Sequence, residues 1–97
     1  MACGAVTVVA DYGAPGDLVA GDRGVALPLS PHDELTESLK AAMEACVAEP
    51  ERHRAMAERG AAYAAEHFNW DFKARYTAGI YRATLASEPL DTFTAYR

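Results

Sequence analysis

Cysteine is scarce in this chain: Cys3 and Cys46 lie far apart and outside any C-x-x-C or Cys/His ligand spacing. That pattern builds neither a disulfide framework nor a zinc site, and the two thiols read as small buried hydrophobes of a reducing compartment. Long apolar runs are missing too. None approaches the roughly 18 residues of a membrane span, and no basic-then-apolar leader precedes the first apolar stretch, so the expected address is cytoplasmic or the cytoplasmic face of a membrane. Positive charge is also short, with 9 Lys/Arg against 14 Asp/Glu and a net charge of -5. Phosphate binding is mostly a Lys/Arg effect, so nucleic acid is not the expected partner. The small basic excess over residues 51–82 reads as a solvated helix face. His32, His53 and His67 are too scattered for a metal-ligand set, and each is expected on a helix surface or end. No Ser or Cys stands at a spacing that pairs it with a His, which leaves nucleophilic catalysis without a candidate. No cofactor or catalytic residue is expected within the chain.

What is present amounts to one small domain of 97 residues, 51% hydrophobic and able to form a core. Its organising stretch is Met1 to Gly13. Its opening reads as the tail of a helix that Gly4 closes in the left-handed position, and 5–10 is a mostly apolar run with four β-branched residues, too short for a second helix. A strand is expected there. In open α/β sheets ligands sit outside the carboxyl ends of strands, so Asp11, Tyr12, Gly13 and Ala14 are the candidate site.

After that loop, Pro15 can open a short helix over 16–20, and Gly21-Asp22-Arg23-Gly24 ends it. A second strand is expected over 25–29, with Pro28 at a strand end or sheet edge. The intervening length suits a parallel, right-handed crossover. Ser30-Pro31-His32-Asp33 then reads as a helix start with Ser30 as the cap. Leu35, Leu39, Met43, Cys46 and Val47 share one face of the helix expected over 32–48. Pro50 punctuates the next helix, near 51–67, with Met56, Tyr63 and Phe68 on its buried side and Arg52, Arg54, Glu58 and Arg59 on its wet side. Gly60 within it points to close contact with another helix. Asn69 caps a last helix near 70–86, whose stripe Phe72, Tyr76, Ile80 and Ala83 is widened by Tyr81 and Leu85. Pro89 ends the pattern, and 87–97 reads as a tail.

The fold class is therefore α/β: a Rossmann-like portion with two parallel strands followed by three helices. Two short apolar strands need cover and neighbours, which a partner or a larger protein would supply.

Taken together, Met1-Ala2-Cys3-Gly4 followed by Val8-Val9-Ala10, then Gly13-Ala14-Pro15-Gly16-Asp17-Leu18-Val19, Gly24-Val25-x-Leu27-Pro28 and Asp33-Glu34-Leu35 resemble the nucleotide-sugar glycosyltransferases of the GT-B fold. The nearest likeness is to the retaining group 1 enzymes. Glu49-Pro50-Glu51-Arg52, Met56-Ala57 and Glu66-His67-Phe68-Asn69-Trp70-Asp71 resemble the same family's ending, so the likeness spans about 1–86. It implies the carboxyl-terminal part of a donor-binding domain, in which Asp11, Tyr12, Gly13 and Ala14 floor the donor cleft. The parent enzyme would transfer a sugar from a nucleoside diphosphate sugar to an acceptor without a metal.

In that family a Glu-x7-Glu motif stands just ahead of the Met-Ala-Cys-Gly segment, and an Arg and a Lys hold the donor diphosphate. On this likeness all four lie outside the chain, Met1 corresponds to an internal methionine, and the chain alone is inactive. The closing helix would meet a further domain, and without it the apolar surface would drive self-association. The sequence departs from the family at Thr7, where Pro is usual, at Ala14, where a second Gly is common, and at Asp17, where Glu is usual. Each departure bears on the path of the loop. Two other readings fit the same residues: a free-standing α/β binding or interaction module, and a piece of another GT-B enzyme such as an epimerase or phosphorylase.

Overall fold

The computed structural model describes residues 1–89. The elements run β1 (Val8–Ala10), α1 (Ala14–Val19), β2 (Val25–Leu27), α2 (His32–Ala48), α3 (Pro50–His67) and α4 (Trp70–Leu85). β1 and β2 pair in parallel, with Val8 opposite Val25 and Ala10 opposite Leu27, and α1 forms the crossover. The expected parallel α/β unit is therefore present. Three long helices follow it, and α1 makes a fourth.

Both strands are shorter than their apolar runs. The expectations were 5–10 and 25–29, whereas the ladder covers three residues of each. It ends where its outer hydrogen bonds end: the Val25 amide donates to Thr7 O at 2.9 Å, and the Asp11 amide donates to Leu27 O at 2.7 Å. Beyond Leu27, Pro28 has no amide to donate and Leu29 is 63% exposed. At the other end Gly4 (φ 72) closes a single tight turn, its amide bonding Met1 O at 3.0 Å, in place of the expected helix tail.

The punctuation of the long helices behaves as chain chemistry requires. Pro50 starts α3, where its missing amide costs nothing. Asn69 caps α4 by accepting the Phe72 amide at 2.7 Å. Ser30 does not cap α2. Pro31 occupies the cap position with no side-chain bond, and the Ser30 hydroxyl donates instead to Pro28 O. α4 closes on Ser87 in the left-handed region (φ 56), with Ser87 and Glu88 amides returning to Thr84 and Ala83 carbonyls. The tail expected over 87–97 lies, from 90 onward, outside the described residues.

The core sits between α1, β2 and α3. Val19, Leu27, Met56, Ala57 and Ala64 are buried, with Ala83 added from α4, and among the described residues no large side chain is completely enclosed. α1 lies on both strands, α2 touches β2 and α3, and α4 touches α3. The molecule is drawn out to 51 × 29 × 17 Å with a radius of gyration of 16.7 Å. A compact chain of this length has about 13 Å, so much potential core surface is outward.

Two glycines fix the close approaches. A Cβ on Gly24 would lie 2.5 Å from Thr7 O and 2.7 Å from Val19 Cγ1, so only glycine lets β2 begin against both β1 and α1. A Cβ on Gly60 would lie 2.8 Å from Arg23 O and 3.2 Å from Met1 Cγ. Gly60 does mark a close contact, but with the turn before β2 and the chain's start instead of another helix.

Several burial expectations are corrected. Cys3 is exposed and Cys46 half-buried, because neither faces the α1–α3 core. α2 buries no residue outright, and Met43 and Val47 on its apolar face are 60% and 83% exposed. His53 is buried on α3: its Nδ1–H donates to Glu49 O at 2.9 Å, so the ring's polarity is met within its own helix and the rest can go inward. Phe68 is partly exposed, and Tyr63 is half-buried. Tyr81 and Leu85 do not widen the Phe72–Ala83 stripe. They lie across the helix from it, in solvent.

Candidate functional site

β1 delivers its last residue, Ala10, to a three-residue loop, and α1 begins at Ala14. Asp11 makes the final rung of the ladder through its amide, and the Tyr12 amide turns back to Ala10 O at 2.8 Å. Gly13 then adopts φ 62 as the residue preceding α1, a conformation that favours glycine. Pro15 stands in the first turn and the Gly16 amide bonds Gly13 O at 3.1 Å. The four expected site residues thus form one continuous strand-to-helix turn at the carboxyl end of β1. Tyr12 is 72% exposed and points away from the core.

Asp11 folds its carboxylate over Gly16, so closely that a Cβ there would collide with the carboxylate oxygen. Acidic groups beside the first turn of a helix are favoured by its dipole. Asp17 occupies the same turn. A groove of about 500 Å³ runs from Asp11 past Gly16 and Asp17 to Asp22 and Ala26, with three carboxylates along it. On the other side of α1 a smaller groove of about 330 Å³ is lined by Ala14, Pro15, Asp17, Leu18 and Phe68. The loop therefore separates an acidic groove from an apolar one.

The nearby cations are committed elsewhere. Arg23 donates from Nε to Leu18 O at 3.2 Å and from a terminal nitrogen to Asp17 O at 3.1 Å, while its guanidinium lies 3.9 Å from the Tyr63 ring centroid. It staples the end of α1 to α3. Arg59 binds the carboxylate of Asp22 and donates to Asp22 O at 3.0 Å. Arg52 and Arg54 spend themselves on Glu49 and Glu51 at 3.2 Å, exposed pairs that contribute little stability. Among the described residues no group of three or more His, Cys, Asp and Glu side chains is placed to hold a metal ion. The three histidines stay apart: His32 is exposed beside Asp33, His53 is buried, and His67 meets Tyr63 with the rings tilted and their centroids 4.3 Å apart.

This arrangement offers a backbone surface that a ligand can approach closely at Gly13 and an apolar wall beside it. Among the described residues around the loop it offers no uncommitted counter-charge for a phosphate. Sequence reasoning passed over Arg23, Asp22 and Phe68 as parts of this neighbourhood. One signal was available, since Arg23 is the single cation before Lys40 and sits between two glycines. Phe68 had none, because only the angle between α3 and α1 brings it to the groove.

No helix among the described residues is long and apolar enough to cross a membrane. No protein-family model matches the sequence, and no curated protein and no solved structure matches it either.

Proposed function

We propose that this chain forms part of the donor-binding wall of a retaining nucleotide-sugar glycosyltransferase. One observation carries the reading: the motif run that resembles that family falls on a parallel β1–α1–β2 unit, with Asp11, Tyr12, Gly13 and Ala14 at the carboxyl end of its first strand. That is where open α/β sheets bind ligands. The enzyme would transfer a sugar from a nucleoside diphosphate to an acceptor, a reaction in which positioning and stabilisation of the departing diphosphate do most of the catalysis. The role of this chain is to floor the cleft: Gly13 admits close backbone approach and Ala14, Pro15, Leu18 and Phe68 exclude water. The acidic groove repels a diphosphate, so the cations that hold it come from elsewhere in the enzyme.

The chain alone then transfers no sugar and binds UDP- and GDP-sugars no better than about 1 mM, about -4 kcal/mol. Micromolar binding in a calorimetric titration overturns that assignment of roles. The wider reading is tested by the coding sequence upstream of the Met1 codon. An in-frame Glu-x7-Glu, with transferase activity in the extended protein, supports it. A stop codon immediately upstream overturns it in favour of a free-standing binding module.

A further inference from the structure

The outward face of α4 carries Trp70, Ala74, Thr77, Ala78, Tyr81 and Leu85 in one uncharged row, with Lys73 at its edge. Trp70, Tyr81 and Leu85 are 89%, 66% and 86% exposed, and a groove of about 370 Å³ runs along the row from Trp70 to Tyr81. Its spacing is palindromic about the Thr77–Ala78 bond, and its sizes are complementary across that point. Read outward from that point, two small residues face each other, then small Ala74 mirrors large Tyr81, then Trp70 mirrors Leu85.

We propose that this face pairs with the same face of a second copy of the chain, the two α4 helices antiparallel about a two-fold axis between Thr77 and Ala78. Thr77 and Ala78 let the helix axes close to about 8 Å at the crossing. Each Tyr81 then enters the space over the other copy's Ala74, and each Trp70 covers the other's Leu85, a self-complementary closed contact. Large aromatic side chains bring about 150–250 Å² each. The two copies together therefore bury on the order of 1,000 Å², near the lower limit of specific interfaces. The dimer is accordingly weak. Lys73 and Arg82 flank the row on opposite sides. Each is also engaged in its own chain, Lys73 over the Phe68 and Phe72 rings and Arg82 through Nε to Ala78 O at 3.1 Å. The proposal stands on α4 alone and is independent of the reading of the Asp11–Ala14 loop.

Sedimentation velocity of the full chain over a wide concentration range is the test, with two variants at exposed positions, Ala74→Glu and Tyr81→Lys. The wild type is expected to dimerise at roughly micromolar to submillimolar concentration, and each variant to weaken this about tenfold or more. Because position 74 meets position 81 only in the antiparallel register, an equimolar mixture of the two variants is expected to recover the dimer: the introduced glutamate meets the introduced lysine, while the remaining Ala74–Tyr81 contact is native. Circular dichroism verifies that both variants keep their helices. Association undiminished in either variant, or a mixture no tighter than its components, overturns the register. A wild type that remains monomeric over the whole concentration range overturns the proposal.

Discussion

α3 and α4 are of similar length and similarly amphipathic, yet α3 buries His53, Met56, Ala57, Gly60 and Ala64 while α4 buries only Ala83. The difference lies in what each small-residue row meets. Along α3, Ala57, Gly60 and Ala64 lie flat enough for the Arg23 turn and Met1 to reach the helix backbone, and the contact is fastened by Arg59 on Asp22 and by Arg23 over Tyr63. Along α4, Ala74, Thr77 and Ala78 make a similar flat strip, but its flanking large residues face solvent. An apolar stripe at helical spacing thus records that a face wants cover, not that its own chain supplies it. The aromatic side of α4 does find partners: His67 meets Phe72 edge-on at 5.0 Å, and Phe72 stacks on Tyr76 at 6.0 Å.

The comparison can be broken most severely from the α3 side. Met56→Ala empties the most enclosed position of that helix and is expected to cost about 2–5 kcal/mol, a large part of a small domain's stability. Urea unfolding followed by circular dichroism measures it. Gly60→Ala should cost about 1–3 kcal/mol in the same assay, because the new methyl collides with the Arg23 carbonyl, which is backbone and cannot swing aside. If Gly60→Ala were neutral, the contact between α3 and the turn would be looser than described. At the junction of the two helices, Asn69→Ala removes the cap bond to the Phe72 amide and is expected to cost about 1 kcal/mol. The smallest effect on folding belongs to the outer face of α4: Tyr81→Glu with Leu85→Glu should change monomer stability by no more than about 0.5 kcal/mol while abolishing self-association.

Much of the fold was legible in the sequence because its boundaries are written in local chemistry. Pro31, Pro50 and Asn69 fix helix starts to within a residue, and the apolar stretches on either side of Gly13 to Gly24 locate the parallel strands. Strand length was not legible. A ladder lasts only as long as its neighbour donates and accepts, and apolar content does not record that. The burial of His53 was hidden because the group that satisfies it is the carbonyl of Glu49 in the preceding turn, which every helical residue possesses. At the candidate site the loop Asp11, Tyr12, Gly13 and Ala14 was found from strand-end position alone. The neighbours that give it character, Asp22, Arg23 and Phe68, arrive through tertiary contacts that no spacing rule encodes.

Trp70, the single tryptophan and 89% exposed, allows the difference between the two helices to be read directly. Acrylamide quenching of its fluorescence should show an open indole in dilute solution and a progressively protected one as concentration rises and the α4 faces pair. Emission that is shielded and blue-shifted at every dilution would contradict this, since it would mean that a single chain already covers the outer face of α4.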